Sequence, residues 1–532
     1  MTLPLIHTPY AQVRQALLDH TEIALLDVRE EDPFAQAHPL FAANLPLGRI
    51  ELDAWQRIPR LDTVVVVYDN GEGLAERAVR KLQSLGYQRV SLLAGGLQGW
   101  RDAGGELFRD VNVPSKAFGE LVEAQRHTPS LPAEEVLALQ QQQADVVVLD
   151  ARRFDEYQTM SIPGAISVPG AELVLRARTL APDPRTRIIV NCAGRTRSII
   201  GTQSLVNAGL PNPVSALRNG TIGWTLAGQA LDHGADRRAG EVTPAQRAQA
   251  AQDARAVAQR AGVRHASLAD LERFAAERGR TTYRFDVRSP EEFAAGHLPG
   301  FRSAPGGQLV QETDVSAPVR GARIVLVDDD GARAHMTASW LTQMGWEVWV
   351  LDGVDRSAFT DTGPAPATLP RPSRPVDWIA PATLAEQLAN EAPGQTAVIN
   401  LTTSANHVKR HIPGAWFVLR TDLERALSTI PSAKRYVLTC GSSLLAQYAV
   451  EEVAQATGAR VLVLEGGNQA WADAGLPTAE GEQRLASPRT DRYRRPYEGT
   501  DNPREAMQGY LDWEFGLVAQ LARDGTHGFQ VL

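Results

Sequence analysis

The segment Arg187-Ile-Ile-Val-Asn-Cys192-Ala-Gly-Arg195-Thr-Arg197-Ser198 decides how this chain reads. An apolar run, Arg187–Asn191, ends on a short polar loop, and a helical pattern, Ile199–Ala208, follows. Continuous apolar strands alternating with helices predict a parallel sheet covered on both faces, an α/β fold. In such sheets ligands bind at the carboxyl ends of strands, where this loop lies. A cysteine there sits among backbone N–H groups that a helix start leaves unpaired. Those donors and the positive end of the helix dipole stabilise a thiolate. Arg195 and Arg197 add positive charge, and the whole cradle (Ala193, Gly194, Arg195, Thr196, Arg197 and Ser198) suits an anionic substrate group such as a sulfonate. The competing reading of Cys192 is an inert buried thiol. For Arg195 and Arg197 it is solvated surface charge or a structural ion pair.

Outward from this segment the chain repeats itself four times. A first strand ends in Asp27, Asp150, Asp286 and Asn400, and a Pro-containing turn follows as Ile162-Pro-Gly-Ala165, Leu298-Pro-Gly300 and Ile412-Pro-Gly-Ala415, with a weaker Leu45-Pro46 in repeat one. Second strands are expected at Val64–Tyr68, Arg187–Asn191, Arg323–Asp328 and Tyr436–Thr439. Asp27 to Asp69, Asp150 to Cys192, Asp286 to Asp329 and Asn400 to Cys440 are separated by 42, 42, 43 and 40 residues. From the loop to the next aromatic, Trp100, Trp224, Phe359 and Trp471, the spacings are 31, 32, 30 and 31. Four matches in register indicate internal duplication. The expected units are residues 1–112, 124–240, 258–362 and 374–480, with a tail at 485–532. Polar or Pro-rich linkers lie near Asp110–Pro129, Gly240–Arg260 and Thr362–Pro375, the first two suited to connecting helices and the third extended. In the tail, Asp501-Asn-Pro503 predicts a helix to about Arg523 stopped by Gly525. It reads as a helix clamped across two domains, with a lid or an oligomer contact as alternatives.

The bulk composition agrees with several soluble domains. The chain has 532 residues, 43% apolar and 22% charged, with a net charge of −8. That length exceeds one hydrophobic core. The charge gives no basic excess for nucleic acid, so none is expected as a partner. No apolar run of about 18 residues predicts a membrane span, and Met1–Ala11 has no secretory pattern. The two cysteines, Cys192 and Cys440, suggest a reducing compartment, so a cytoplasmic protein is expected. No cluster stands out among the eleven histidines, and neither a metal nor a cofactor is expected.

With these motifs in place, the chain resembles the rhodanese superfamily over roughly residues 1–480. The matching pieces are Asp150-Ala-Arg152 with Glu156-Tyr157, Ser161-Ile-Pro-Gly-Ala165, the Cys192 loop, Asn219-Gly-Thr-Ile-Gly-Trp224 and, in repeat three, Asp286-Val-Arg288, Glu292-Phe293 and Gly296-His-Leu-Pro-Gly300. The resemblance implies four tandem rhodanese-like domains and a persulfide mechanism. Cys192 would take sulfane sulfur from thiosulfate or a related small-molecule donor and pass it to cyanide or a thiol. It also implies a structural, supporting role for Asp150 and Arg152. Trp224 reads as core.

Departures from the pattern are informative. Asp69 and Asp329 align where the cysteine belongs; a carboxylate forms no persulfide and repels an anionic donor. Repeats one and three therefore resemble inactive partner domains, each packing on a neighbour, as in a duplicated two-domain sulfurtransferase. Repeat four keeps Cys440-Gly441-Ser442-Ser443 without nearby arginines, and Asn400 and Thr402 replace the Asp and Arg. It is either a second site for another donor or relay, or a decaying one. Two other functions compete. A cysteine phosphatase or arsenate reductase needs an arginine six positions after the cysteine, and Ser198 stands there. A non-catalytic scaffold or sulfur carrier has no use for a low-pKa thiol between arginines. The sequence leaves the oligomeric state open.

Overall fold

A computed structural model describes residues 5–499 and 501–532; residues 1–4, the start of the Met1–Ala11 segment, lie outside it. Four sheets follow one another along the chain with one strand order. In the second, the order is Ser130–Leu131, Val214–Leu217, Arg187–Asn191, Val146–Asp150 and Ile166–Ser167, all parallel. Repeats three and four copy it. The middle strands read as unbroken apolar runs because helices cover both faces: Ile188, Ile189 and Val190 have no exposed surface. Trp224 is likewise fully buried, as a core residue should be. The first sheet carries a guest. Val319–Arg320 of repeat three pairs antiparallel with Ile23 and Ala24, so it is not purely parallel.

Strand pairing corrects one alignment. Asp27 pairs with Tyr68, Asp150 with Asn191, Asp286 with Val327 and Asn400 with Thr439. The residue after each partner is Asp69, Cys192, Asp328 and Cys440. The counterpart of Cys192 in repeat three is thus Asp328, not Asp329. Asp328 accepts backbone N–H bonds from Gly331 and Ala334 at 3.0 and 2.8 Å. Asp69 does the same for Gly71, Leu74 and Ala75 at 3.0, 2.6 and 2.9 Å. Asp329 instead pairs with Arg356, 2.6 Å away.

The repeats meet in two like pairs. Gly170–Glu172 of repeat two packs on Gly306–Gln311 of repeat three so closely that a Cβ on Gly307 would lie 3.1 Å from the Gly170 nitrogen. The same turns of repeats one and four, Leu47–Arg49 and Arg420–Asp422, also pack together. There Arg420 donates to the Gly48 carbonyl at 3.1 Å and grips Glu51 at 2.8 Å. Both connecting helices form, as Val113–Arg126 and Pro244–Arg260. The stretch 362–375 has no helix or strand. No helix among the described residues is long and apolar enough to cross a membrane.

The tail is helical, but in two pieces, Arg504–Phe515 and Leu517–Asp524, broken at Gly516. The expected single helix is interrupted there because glycine, with no side chain to hold the helix, lets the chain turn. Gly525, at φ 64°, ends the second piece as expected. Arg504 donates to the Leu226 carbonyl at 2.7 Å, Arg523 pairs with Glu106 at 2.8 Å, and the Gln530 N–H reaches the Gln343 carbonyl at 2.8 Å. The tail thus clamps repeats one, two and three. Its anchor is Lys116, fully sequestered, which pairs with Asp110 at 2.7 Å under the rings of Tyr497, Tyr510 and Trp513, 5.1–5.6 Å away.

Candidate active site

Cys192 stands at the carboxyl end of the central strand of repeat two, four residues before the helix Thr196–Asn207. The turn at Asn219-Gly220 braces its loop: the Thr221 and Ile222 N–H groups bond the Cys192 and Ala193 carbonyls at 2.9 and 3.0 Å. Gly220, at φ +56°, sits so close that a Cβ would be 2.3 Å from the Cys192 carbonyl oxygen. That approach, together with the left-handed φ, requires glycine. The thiol lies 3.4 Å from the Ser198 Oγ, which in turn donates to the Arg195 carbonyl at 2.8 Å.

The site is closed. Cys192 is 2% exposed, and Ala193, Gly194, Arg195, Thr196 and Ser198 are buried with it. The tail supplies the cover: Ala193 and Ile222 cluster with Tyr497, Met507, Tyr510 and Leu511. A Cβ on Gly194 would lie 3.1 Å from the Tyr510 ring. The lid reading and the clamp reading of the tail therefore describe one element. Closure changes the electrostatics that the sequence led us to expect. Burial pushes the Cys192 thiol above its ordinary value; the Arg197 charge and the Ser198 hydrogen bonds oppose this, and Glu514 adds to it. A depressed thiol requires solvent or uncompensated positive charge at the loop, and the closed tail withholds solvent.

The two arginines differ. Arg195 is an ion-pair residue: it donates to Glu120 at 2.7 and 2.8 Å, to Glu123, and to the Asn219 side chain at 3.2 Å, and it lies over the Phe515 ring. Its charge is absorbed by the helix Val113–Arg126. Arg197 holds both carboxylate oxygens of Glu156 at 2.8 Å, yet its charge still acts on Cys192. Burial would push Glu156 up, but the Arg197 charge and its two bonds overcome this and hold the carboxyl at about 2. Arg197 also borders a cleft of about 800 Å³ between repeats two and three, shared with Arg153, Arg238 and Arg288. Thr196 turns its hydroxyl to Glu514, 3.5 Å away.

Asp150 and Arg152 are joined side by side at 2.9 and 2.7 Å, and Arg152 also donates to the Met160 carbonyl at 2.6 Å. Asp286–Arg288 repeats this, with Gly296 in the place of Met160. So does Asp27–Arg29, with Ala37, a motif the sequence reading passed over. The pair ties the strand end to the following turn. Repeat three keeps the outer pair too: Arg333, five residues after Asp328 as Arg197 is after Cys192, grips Glu292 at 2.6 and 2.9 Å.

Repeat four is built differently. Cys440 is 6% exposed, but Gly441 and Ser442 face solvent, and Ser443, at φ +65°, has a buried hydroxyl with no partner among the described residues. The next regular turn is a 3₁₀ turn at Ala446–Ala449, and the α-helix begins only at Val450. The α-helix thus starts ten residues after Cys440, against four after Cys192. Asn400 bonds His407 at 3.0 Å in place of an Asp–Arg pair. Burial and His411 hold His407 down, to about 4.

The sequence showed no metal-type cluster, but among the described residues the fold assembles one group. His265 and His335 place their Nε2 atoms 3.1 Å apart, near Asp352. Both oxygens of that carboxylate are already engaged by Arg255, at 3.2 and 2.7 Å.

Comparison with known proteins fixes the family. The rhodanese-like domain family matches residues 11–103, 132–227, 269–353 and 381–474, more than half of the chain. The chain belongs to the rhodanese-like domain family, four times over. A crystal structure of thiosulfate sulfurtransferase from Pseudomonas aeruginosa is 68% identical, covers 99% of this chain and 100% of its own, and superposes with a TM-score of 0.97. A thiosulfate sulfurtransferase of Azotobacter vinelandii is 27% identical over 218 residues, 37% of this chain and 79% of that protein. An HTH-type transcriptional regulator of Mycobacterium tuberculosis is 34% identical over 91 residues, 17% of this chain and 39% of its own length.

Proposed function

We propose that this chain is a thiosulfate sulfurtransferase in which Cys192 carries the sulfur. The Cys192 thiolate attacks the outer sulfur of thiosulfate or a related donor; a new S–S bond forms and sulfite leaves with the electron pair of the broken one. An acceptor, cyanide or a thiol, then attacks the outer sulfur of the persulfide and releases the Cys192 thiolate. The observation that carries this reading is the contrast at one register position. Repeats one and three fill the loop's N–H cradle with their own carboxylates, Asp69 and Asp328. Repeat two places a thiol there, beside Arg197. The cradle is an anion site, and in repeat two the anion comes from outside.

Within this reading Ala193, Gly194, Thr196, Arg197 and Ser198 form the donor site. Arg195 braces the loop, and Asp150 and Arg152 support it from below. Repeats one and three serve as packing partners. Cys440 is a weak or secondary site, because its loop lacks both the arginines and the adjacent helix start. Phosphatase chemistry is disfavoured by Ser198 at the position where a phosphoryl clamp needs arginine. The likeness to the thiosulfate sulfurtransferases of two organisms supports the reaction class. A cytoplasmic site of action fits two free cysteines in a long chain.

The test is steady-state transfer from thiosulfate to cyanide. Cys192→Ser should abolish it, and Cys440→Ser should leave most of it. Full activity in Cys192→Ser would refute the assignment.

A further inference from the structure

Glu514 is an acid that the tail carries onto the Cys192 loop. It has no exposed surface. Its Oε1 accepts the Tyr510 hydroxyl at 2.8 Å and the Thr196 hydroxyl at 3.5 Å. Its Oε2 is buried and has no partner among the described residues. This oxygen lies on the loop, since a Cβ on Gly194 would be 3.4 Å from it. Buried polar atoms without a partner are rare and call for a cause.

The protonation state narrows the cause. Burial pushes the Glu514 carboxyl up, to about 8, and the Glu120 charge adds to this. Lys116 on the same neighbouring helix, the Tyr510 hydroxyl and Arg195 of the loop oppose it. Cys192 also faces it. At neutral pH the group is a carboxylic acid with one O–H. Because Oε1 already receives two hydroxyl hydrogens, the proton belongs on Oε2. A hydrogen-bond donor with no acceptor therefore faces the loop whose N–H groups, in repeats one and three, hold a carboxylate.

Resting on the reading of Cys192 as sulfur carrier, we propose that Glu514 is a substrate-binding residue of the donor site. Its Oε2–H donates to an oxygen of the anionic donor held in the Cys192 loop. The tail thereby selects donors whose leaving group is an oxyanion. Once ionised, the same group loses its donor and repels the anion.

The experiment measures kcat/KM for thiosulfate from pH 6 to 10 in wild type, Glu514→Gln and Glu514→Ala. Each sample is also checked by mass spectrometry for sulfur on Cys192. Glu514→Gln keeps a donor that never ionises. Its kcat/KM relative to wild type should be near one at pH 6–7 and rise above pH about 8, by about tenfold per further unit. Because the Glu514 charge also raises the Cys192 thiol, the ionisation of Cys192 is followed in each protein by iodoacetamide alkylation over the same pH range and divided out of this ratio. Glu514→Ala should lose about ten- to a hundredfold in kcat/KM at pH 7, mainly through KM. A pH-independent ratio for Glu514→Gln, or wild-type kcat/KM in Glu514→Ala, overturns the proposal. If sulfur still appears on Cys192 in that case, only the role of Glu514 falls. If no sulfur appears on Cys192 in wild type, both readings fall together.

Discussion

Arg197 holds both carboxylate oxygens of Glu156 at 2.8 Å while its charge acts on the Cys192 thiol. The pair fixes the guanidinium without neutralising its effect on the sulfur. Replacing Arg197 by Met should raise the thiol further and slow alkylation of Cys192 by iodoacetamide at pH 8 by about ten- to a hundredfold. Glu156→Gln leaves the arginine charge in place and removes a negative one, so alkylation should stay equal or become faster. Equal slowing in both variants would mean that the pair is only structural.

Acid should loosen repeats two and three first. Glu156 and Glu292 both titrate at about 2 in the folded chain, against an ordinary value near 4.5: burial raises each carboxyl, but Arg197 and Arg333 outweigh it. A depressed carboxyl adds stability that is present above its unfolded value and lost as pH falls through its folded one. Melting temperature should therefore drop between pH about 4.5 and about 2. The Glu156→Gln, Glu292→Gln double variant should start lower and show a shallower drop. A slope matching wild type would refute the assignment.

In repeat one, Asp69 caps its loop with three accepted N–H bonds. Asp69→Ala should cost about 1–2 kcal/mol in urea unfolding, the usual penalty for a lost cap, and leave thiosulfate turnover unchanged. A fall in turnover beyond the loss of folded protein would give repeat one a role beyond packing.

Strands and loops were legible because each repeat buries its middle strands on both faces, so apolar runs such as Val64–Tyr68 and Val146–Asp150 stand out. The off-by-one at Asp329 arose where Asp328, Asp329 and Asp330 stand in a row and composition cannot choose. The signal that settles it was present: Arg333 follows Asp328 at the distance by which Arg197 follows Cys192. Asp27-Val-Arg29 was equally readable, with the spacing of Asp150-Ala-Arg152 and Asp286-Val-Arg288. What no local pattern showed was long-range burial. Glu120 claims Arg195 from 75 residues away, and Glu514 reaches Thr196 from 318 residues away. Those contacts turn an expected open, acidic thiol into a covered one.

The tail depends on Lys116. Lys116→Met leaves Asp110 buried without its partner and removes the cation from under three aromatic rings. Breaking a buried pair on one side costs about 3–5 kcal/mol. Limited proteolysis should then cut the tail between residues 485 and 503 faster than in wild type, and Cys192 should alkylate faster as its cover loosens. Unchanged cleavage and alkylation would show that the tail is held by other contacts.

The central claim is that sulfur rides on Cys192. Incubation with thiosulfate followed by intact-mass and peptide mass spectrometry tests it directly. The account predicts a gain of one sulfur on the peptide containing Cys192, removed by cyanide, with little or none on the peptide containing Cys440. Sulfur on Cys440 alone, or on neither cysteine, would contradict it.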